Sequence, residues 1–150
     1  MAAKFFIIVL LLLALVSPAY PQERLWDDLQ EQAITFYQRK QHYNAVATQA
    51  KALKVAIETF GPDDLKVAES MDNLAIYNQA LGNYAESEKL YEKALSIMEK
   101  KLPLNDHYLA IFMDYVASFY KKIGKNDKAR ELHERVNKIR GYNEKSLPGQ

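Results

Sequence analysis

The sequence predicts an all-α protein built as a stack of three helix-turn-helix units. Three observations carry that reading. The chain matches itself at a shift of 42 residues. Its apolar residues recur at helical spacing, and no alternating strand pattern occurs. Helix breakers fall at matching places in successive units. The clearest stretch is 65–101, LKVAESMDNLAIYNQALGNYAESEKLYEKALSIMEKK, which holds two amphipathic patterns joined at Gly82-Asn83.

The first helix of the first unit carries Leu25, Leu29, Ala33 and Phe36 as its inner stripe. A shift of 42 lays these on Val67, Met71, Ala75 and Asn78, and a second shift on Leu109, Met113, Ala117 and Tyr120. The second helices repeat as well. Ala45, Ser87 and Ala129 are in register, as are Ala52, Ala94 and Val136, and Val55, Ile97 and Ile139. Fixed small residues let two helices approach closely, because the side chains between them set the interaxial distance. Gly82 and Gly124 stand where a helix end wants a left-handed residue, and Lys40 takes that place in the first unit. Between units, Pro62 and Pro103 break the chain, and Asp63-Asp64 and Asn105-Asp106 supply N-caps. The expected helices are 23–40, 43–60, 64–81, 84–101, 106–123 and 126–140. The units are then 23–64, 65–106 and 107–140, with 141–150 as a loose tail. The very polar helix 126–140 suits the water-facing end of a stack.

Residues 1–19 read as a secretory signal peptide. Lys4 is followed by the unbroken apolar run FFIIVLLLLALV, then by Ser17-Pro18-Ala19, with cleavage expected after Ala19. The run is too short for a membrane span, so the expected location is periplasmic or extracellular. Beyond the leader, 19 acidic residues balance 19 basic ones, since only Lys4 of the 20 lies in it. A neutral chain of interspersed charge offers nucleic acid no basic face. There is no Cys, which excludes disulfides and thiolate chemistry.

No catalytic set emerges. His42, His107 and His133 form no metal-ligand spacing, and neither HExxH, GxSxG nor a Gly-rich phosphate loop occurs. The acids at 63–64 and 106 read as helix caps. The expectation is a non-enzyme with no catalytic residue, no cofactor and no metal. Tyr84, Tyr91 and Tyr120 fall on core positions of the repeat, and His133 falls where the middle unit has Tyr91, at the core edge. Tyr37, Tyr108 and Tyr115 lie off the core stripe on first helices.

At these residues the chain resembles the tetratricopeptide repeat. The most specific piece is Leu74-Ala75, then Gly82-Asn83-Tyr84, then Leu90-Tyr91-Glu92-Lys93-Ala94-Leu95. The period is 42 in place of the usual 34, similar to kinesin light chains and many bacterial repeat proteins. The resemblance implies a right-handed solenoid that binds a protein or peptide in a concave groove lined by the first helices. It places Asp27, Gln30, Ile34 and Tyr37 there in the first unit, and Glu69, Asp72, Asn73, Ile76 and Gln79 in the second. Asp114, Tyr115 and Lys121 follow in the third. Such a groove mixes apolar anchors with an acid row and suits a segment of some positive charge. It lacks the basic residues and paired Asn of members that grip a terminal carboxylate. The alternative expectation is an assembly role, in which the units self-associate or tether an envelope complex.

Overall fold

A computed structural model of the chain describes residues 19–146. The expected signal peptide therefore lies almost wholly outside the described residues. Six helices follow one another: α1 Ala19–Gln38, α2 His42–Phe60, α3 Leu65–Ala80, α4 Tyr84–Lys101, α5 His107–Lys122 and α6 Asn126–Ser146. No strand occurs among the described residues. Four helices lie within two residues of their expected bounds; α1 and α6 are longer. α1 begins at Ala19, with Pro21 in the first turn, where its missing N–H costs no helical bond. α6 runs through Gly141 to Ser146, so the expected loose tail is helical over its first residues. One interior Gly costs only about 1 kcal/mol, and no proline intervenes before Pro148.

The hairpin turns repeat as closely as the helices do. The amides of Gln41, Asn83 and Lys125 each donate back to a carbonyl five residues earlier, Phe36, Asn78 and Tyr120, at 2.9 Å. These are the closing bonds of a Schellman turn, which requires a left-handed residue. Gly82 and Gly124 adopt it at φ 79° and 78°, and Lys40 adopts it at φ 59° although it carries a side chain. The inter-unit turns cap the next helices as expected. Asp64 accepts from the Lys66 amide at 2.9 Å, and Asp106 from the Tyr108 and Leu109 amides at 2.8 and 3.1 Å.

The 42-residue register is a packing register. Ala33, Ala75 and Ala117 are fully buried, as are Ala52, Ala94 and Val136. Within the middle hairpin, the Ser87 hydroxyl donates to the Ala75 carbonyl at 2.8 Å, so α3 and α4 nearly touch there. Two expected core residues are misplaced, and the first is Leu25: it is exposed, and its neighbour Trp26 is buried instead. Trp26 packs edge-on against Phe60, with ring centroids 5.7 Å apart, and its indole N–H donates to Ser70 Oγ at 2.8 Å. Tyr84 is also exposed, whereas Tyr91 and Tyr120 are core residues.

The two junctions between units differ. α2 and α3 approach closely along their length, whereas α4 and α5 stand farther apart. Side-chain size accounts for this. At the first junction, Gln49 Nε2 donates to the Ser70 carbonyl at 3.1 Å. In the same register the second junction has Tyr91 and Phe112, and Tyr91 also packs on Phe119 at 4.9 Å. Rings hold α5 off where a serine lets α3 in. A seam of charges between α4 and α6 spans the wider junction. Glu88 accepts from Lys125 and Lys128, Glu92 from Lys128 and Tyr120, and Glu99 from Arg135.

Candidate functional site

The first helices α1, α3 and α5 lie side by side and present one face free of their hairpin partners. Contacts across that face fix their order. Tyr37 of α1 stacks on Tyr77 of α3 with centroids 4.8 Å apart. Lys122 of α5 donates to Gln79 of α3 at 3.0 Å. The Tyr91 hydroxyl, reaching through from α4, donates to Tyr115 of α5 at 3.1 Å and accepts from Gln79 at 3.4 Å.

The residues assigned to this groove fall into three groups. Asp27, Ile34, Glu69, Tyr115 and Lys121 are exposed. Tyr37, Asp72, Asn73, Ile76, Gln79 and Asp114 are half-buried. Gln30 is the most enclosed of the set: it is only 7% exposed, and neither of its amide atoms finds a partner.

The acid row is likewise not uniform. Asp114 is paired within its own unit, because the Arg140 guanidinium donates to Oδ2 and His133 Nδ1 lies 3.2 Å from Oδ1. His133 is thus exposed and paired to an acid, in place of the core-edge role expected of it. Asp72, in the same register one unit earlier, has no such neighbours. The positions equivalent to His133 and Arg140 are Tyr91 and Met98. The Asp72 Oδ1 atom is buried with no hydrogen-bond partner. Burial, with the Glu69 carboxylate beside it, pushes the Asp72 carboxyl up to about 7. Burial raises Glu69 as well, against the pull of Lys66.

Three tyrosines feel the charge of this acid. Burial raises the hydroxyls of Tyr91, Tyr108 and Tyr115, and the charge of Asp72 adds to the rise in all three. Tyr115 also feels Tyr37, which places side chains of α1, α3, α4 and α5 within electrostatic reach of one patch. Tyr108 is half exposed and was not among the residues expected in the groove. The only sign of it in the sequence is its place off the core stripe, because its register partners are Arg24 and Lys66. Chemically the patch can accept hydrogen bonds and hold a positive group. Among the described residues no trio of His, Cys, Asp or Glu could hold a metal ion, and no helix is long and apolar enough to cross a membrane.

The tetratricopeptide repeat profile matches residues 28–100, the first two units. Over those two units the chain carries tetratricopeptide repeats. The third unit continues the same register, and solved repeat structures cover it. BtubC (BKLC) from P. vanneervenii superposes with a TM-score of 0.74 at 22% identity, over 86% of this chain and 50% of that one. A putative kinesin light chain from Podosopora anserina, with nearly identical TPR-like repeats, gives 0.70 at 25% identity, over 80% and 56%. The TPR domain of Arabidopsis FLU gives 0.65 at 18% identity, over 77% and 94%. The likenesses below 25% identity show the fold alone, and the chain spans about half the length of the first two structures. No curated protein sequence matches it. Tetratricopeptide repeats are protein-interaction scaffolds, and the groove of this repeat array is the surface that such a role would use.

Proposed function

We propose that this tetratricopeptide-repeat chain is an exported, non-enzymatic scaffold that binds a protein or peptide segment in the groove of α1, α3 and α5. The observation that carries the reading is the makeup of that face. Ile34, Ile111, Tyr108 and Tyr115 are exposed there, next to half-buried Ile76 and an unpaired acid. Aromatic and branched apolar anchors beside unsatisfied polar atoms are what a bound segment covers. Export rests on the leader 1–19. The test is a double substitution, Ile34→Asp with Ile76→Asp, in full-length tagged protein. Helicity should be kept while the partner recovered from the exported fraction is lost. N-terminal sequencing of the mature protein should begin at Tyr20. Partner recovery unaffected by the double substitution would contradict the groove, and an intact Met1 in the cytosol would contradict export.

A second reading, self-association, is favoured by one feature at the far end of the stack. A hollow of about 470 Å³ is lined there by Leu104, Met113 and Ile139, with Arg135 and Lys138 at its rim. Leu104 is 73% exposed. Light scattering separates the readings: a mass that rises to the dimer with concentration supports assembly, and a constant monomer mass removes it.

A further inference from the structure

The groove has one acid whose cation is missing. Three registers make the point. In the third unit the acid is Asp114, which Arg140 of α6 pairs with its charge while His133 lies against the other oxygen. In the first unit Gln30 stands at that place and carries no charge. In the middle unit Asp72 keeps the acid, but α4 offers Tyr91 and Met98 where α6 offers His133 and Arg140. Both of those residues are buried against α5, so neither position could carry a cation without opening the junction.

The other groups facing Asp72 do not compensate for it. From its own helix come Glu69, a second acid, and Tyr77. From α4 comes Tyr91, and from α5 come Tyr108 and Tyr115. Lys66, on the same helix, acts on Glu69 and is itself paired with Glu23 of α1. Asp27 adds further negative charge beside Glu69. A buried carboxylate oxygen without a partner is costly, and a charge left unpaired is costlier. What would satisfy it is a donor with positive charge and an apolar stem that aromatic rings can hold.

We propose that Asp72 anchors a subsite for one lysine or arginine side chain of the bound segment, with the rings of Tyr108 and Tyr115 beside its stem. The proposal rests on the scaffold reading above and adds the chemistry of one contact. The acid charge of Asp27, Glu69 and Asp72 complements such a partner, and none of it is cancelled at Asp72 by this chain. The high carboxyl pKa of Asp72 is the expected state of the empty subsite, since burial opposes its charge until a cation arrives.

The test uses small probes on the full chain: the N-acetyl methylamides of lysine, arginine and norleucine. Two-dimensional NMR should show saturable shifts at the amides of Asp72, Tyr108 and Tyr115 with the first two probes and none with norleucine. Asp72→Asn should weaken the lysine probe by about tenfold or more, while Asp114→Asn leaves it within about twofold. In unsubstituted protein, saturation with the arginine probe should lower the Asp72 carboxyl titration by about one unit or more, a readout that needs no variant. Equal shifts with norleucine, or an Asn variant that binds as well as the parent, would overturn the subsite. The scaffold reading fails separately. If the natural partner is lost with Ile34→Asp and Ile76→Asp but indifferent to Asp72→Asn, the groove stands and the subsite falls. If the partner ignores both, the groove falls, and the probe titration still decides the subsite.

Discussion

Asp72 and Asp114 look alike as letters, at the same register in successive units. Their environments make them opposites: one is paired with Arg140 and lies against His133, the other has a buried oxygen with no donor. That difference has a consequence for stability. An acid raised from 3.8 to about 7 by folding binds an extra proton in the native state across that window. Stability therefore falls as pH rises from about 4 to about 7 and levels off above. Discounted for the part of Asp72 that solvent still screens, the loss is roughly 2–4 kcal/mol. Asp72→Asn should melt with the parent near pH 4 and above it near pH 8. Equal melting of the two proteins at both pH values would show that Asp72 carries no such penalty. Ala75 tests packing instead. It is fully buried under the Ser87 hydroxyl, so Ala75→Leu should cost about 1–3 kcal/mol in a denaturant melt through overpacking. The position of Ala75 was legible, because its register partners are both alanine. The environment of Asp72 was not, because a one-chain register does not say which neighbours carry the compensating charge. The burial of Gln30 was not legible for a related reason: spacing along the chain does not encode how the packed helices cover a polar side chain.

At the scale of the element, helices and turns were the most legible part of the chain. Period, glycines and caps pointed to the same boundaries, and the Schellman bonds repeat at one length in all three hairpins. The first turn is the exception that keeps the geometry without the glycine. A left-handed residue with a side chain costs on the order of 1 kcal/mol, so Lys40→Gly should stabilise the protein by about 0.5–1 kcal/mol in the same melt. The one-position slip from Leu25 to Trp26 arose because α1 is oriented by a hydrogen bond to Ser70 and by Phe60, both distant in sequence. The junctions were illegible for the same reason. Only with the helices in place does Phe112 meet Tyr91 and wedge α5 outward. The charge seam that crosses this junction is partly exposed. Glu88, held well below the usual carboxylate range by its bonds to Lys125 and Lys128, is its most enclosed member. Glu88→Gln should cost up to about 1 kcal/mol at low salt, and less at 1 M salt, where the screening length falls to about 3 Å. A penalty that does not shrink with salt would assign Glu88 a packing role.

For the whole molecule, the repeat explains why the chain folds, and the departures from the repeat locate what it offers a partner. Small residues at Ala33, Ala75 and Ala117 close each hairpin, while Tyr91, Phe112 and Asp72 break the symmetry at one junction. The class of the protein followed from the sequence, since three matching units need only period and breakers to be seen. The groove was legible as a face, through residues such as Ile34, Ile76 and Tyr115, but not as a graded surface with one unsatisfied acid. The central claim is that this face receives the partner. It is tested most directly by placing a photo-crosslinking residue at Ile76, in the groove, or at Lys54, which is exposed on the second helix α2. Irradiation in the native compartment should yield a covalent adduct from position 76 and none from position 54. An adduct from position 54 with none from position 76 would contradict the account.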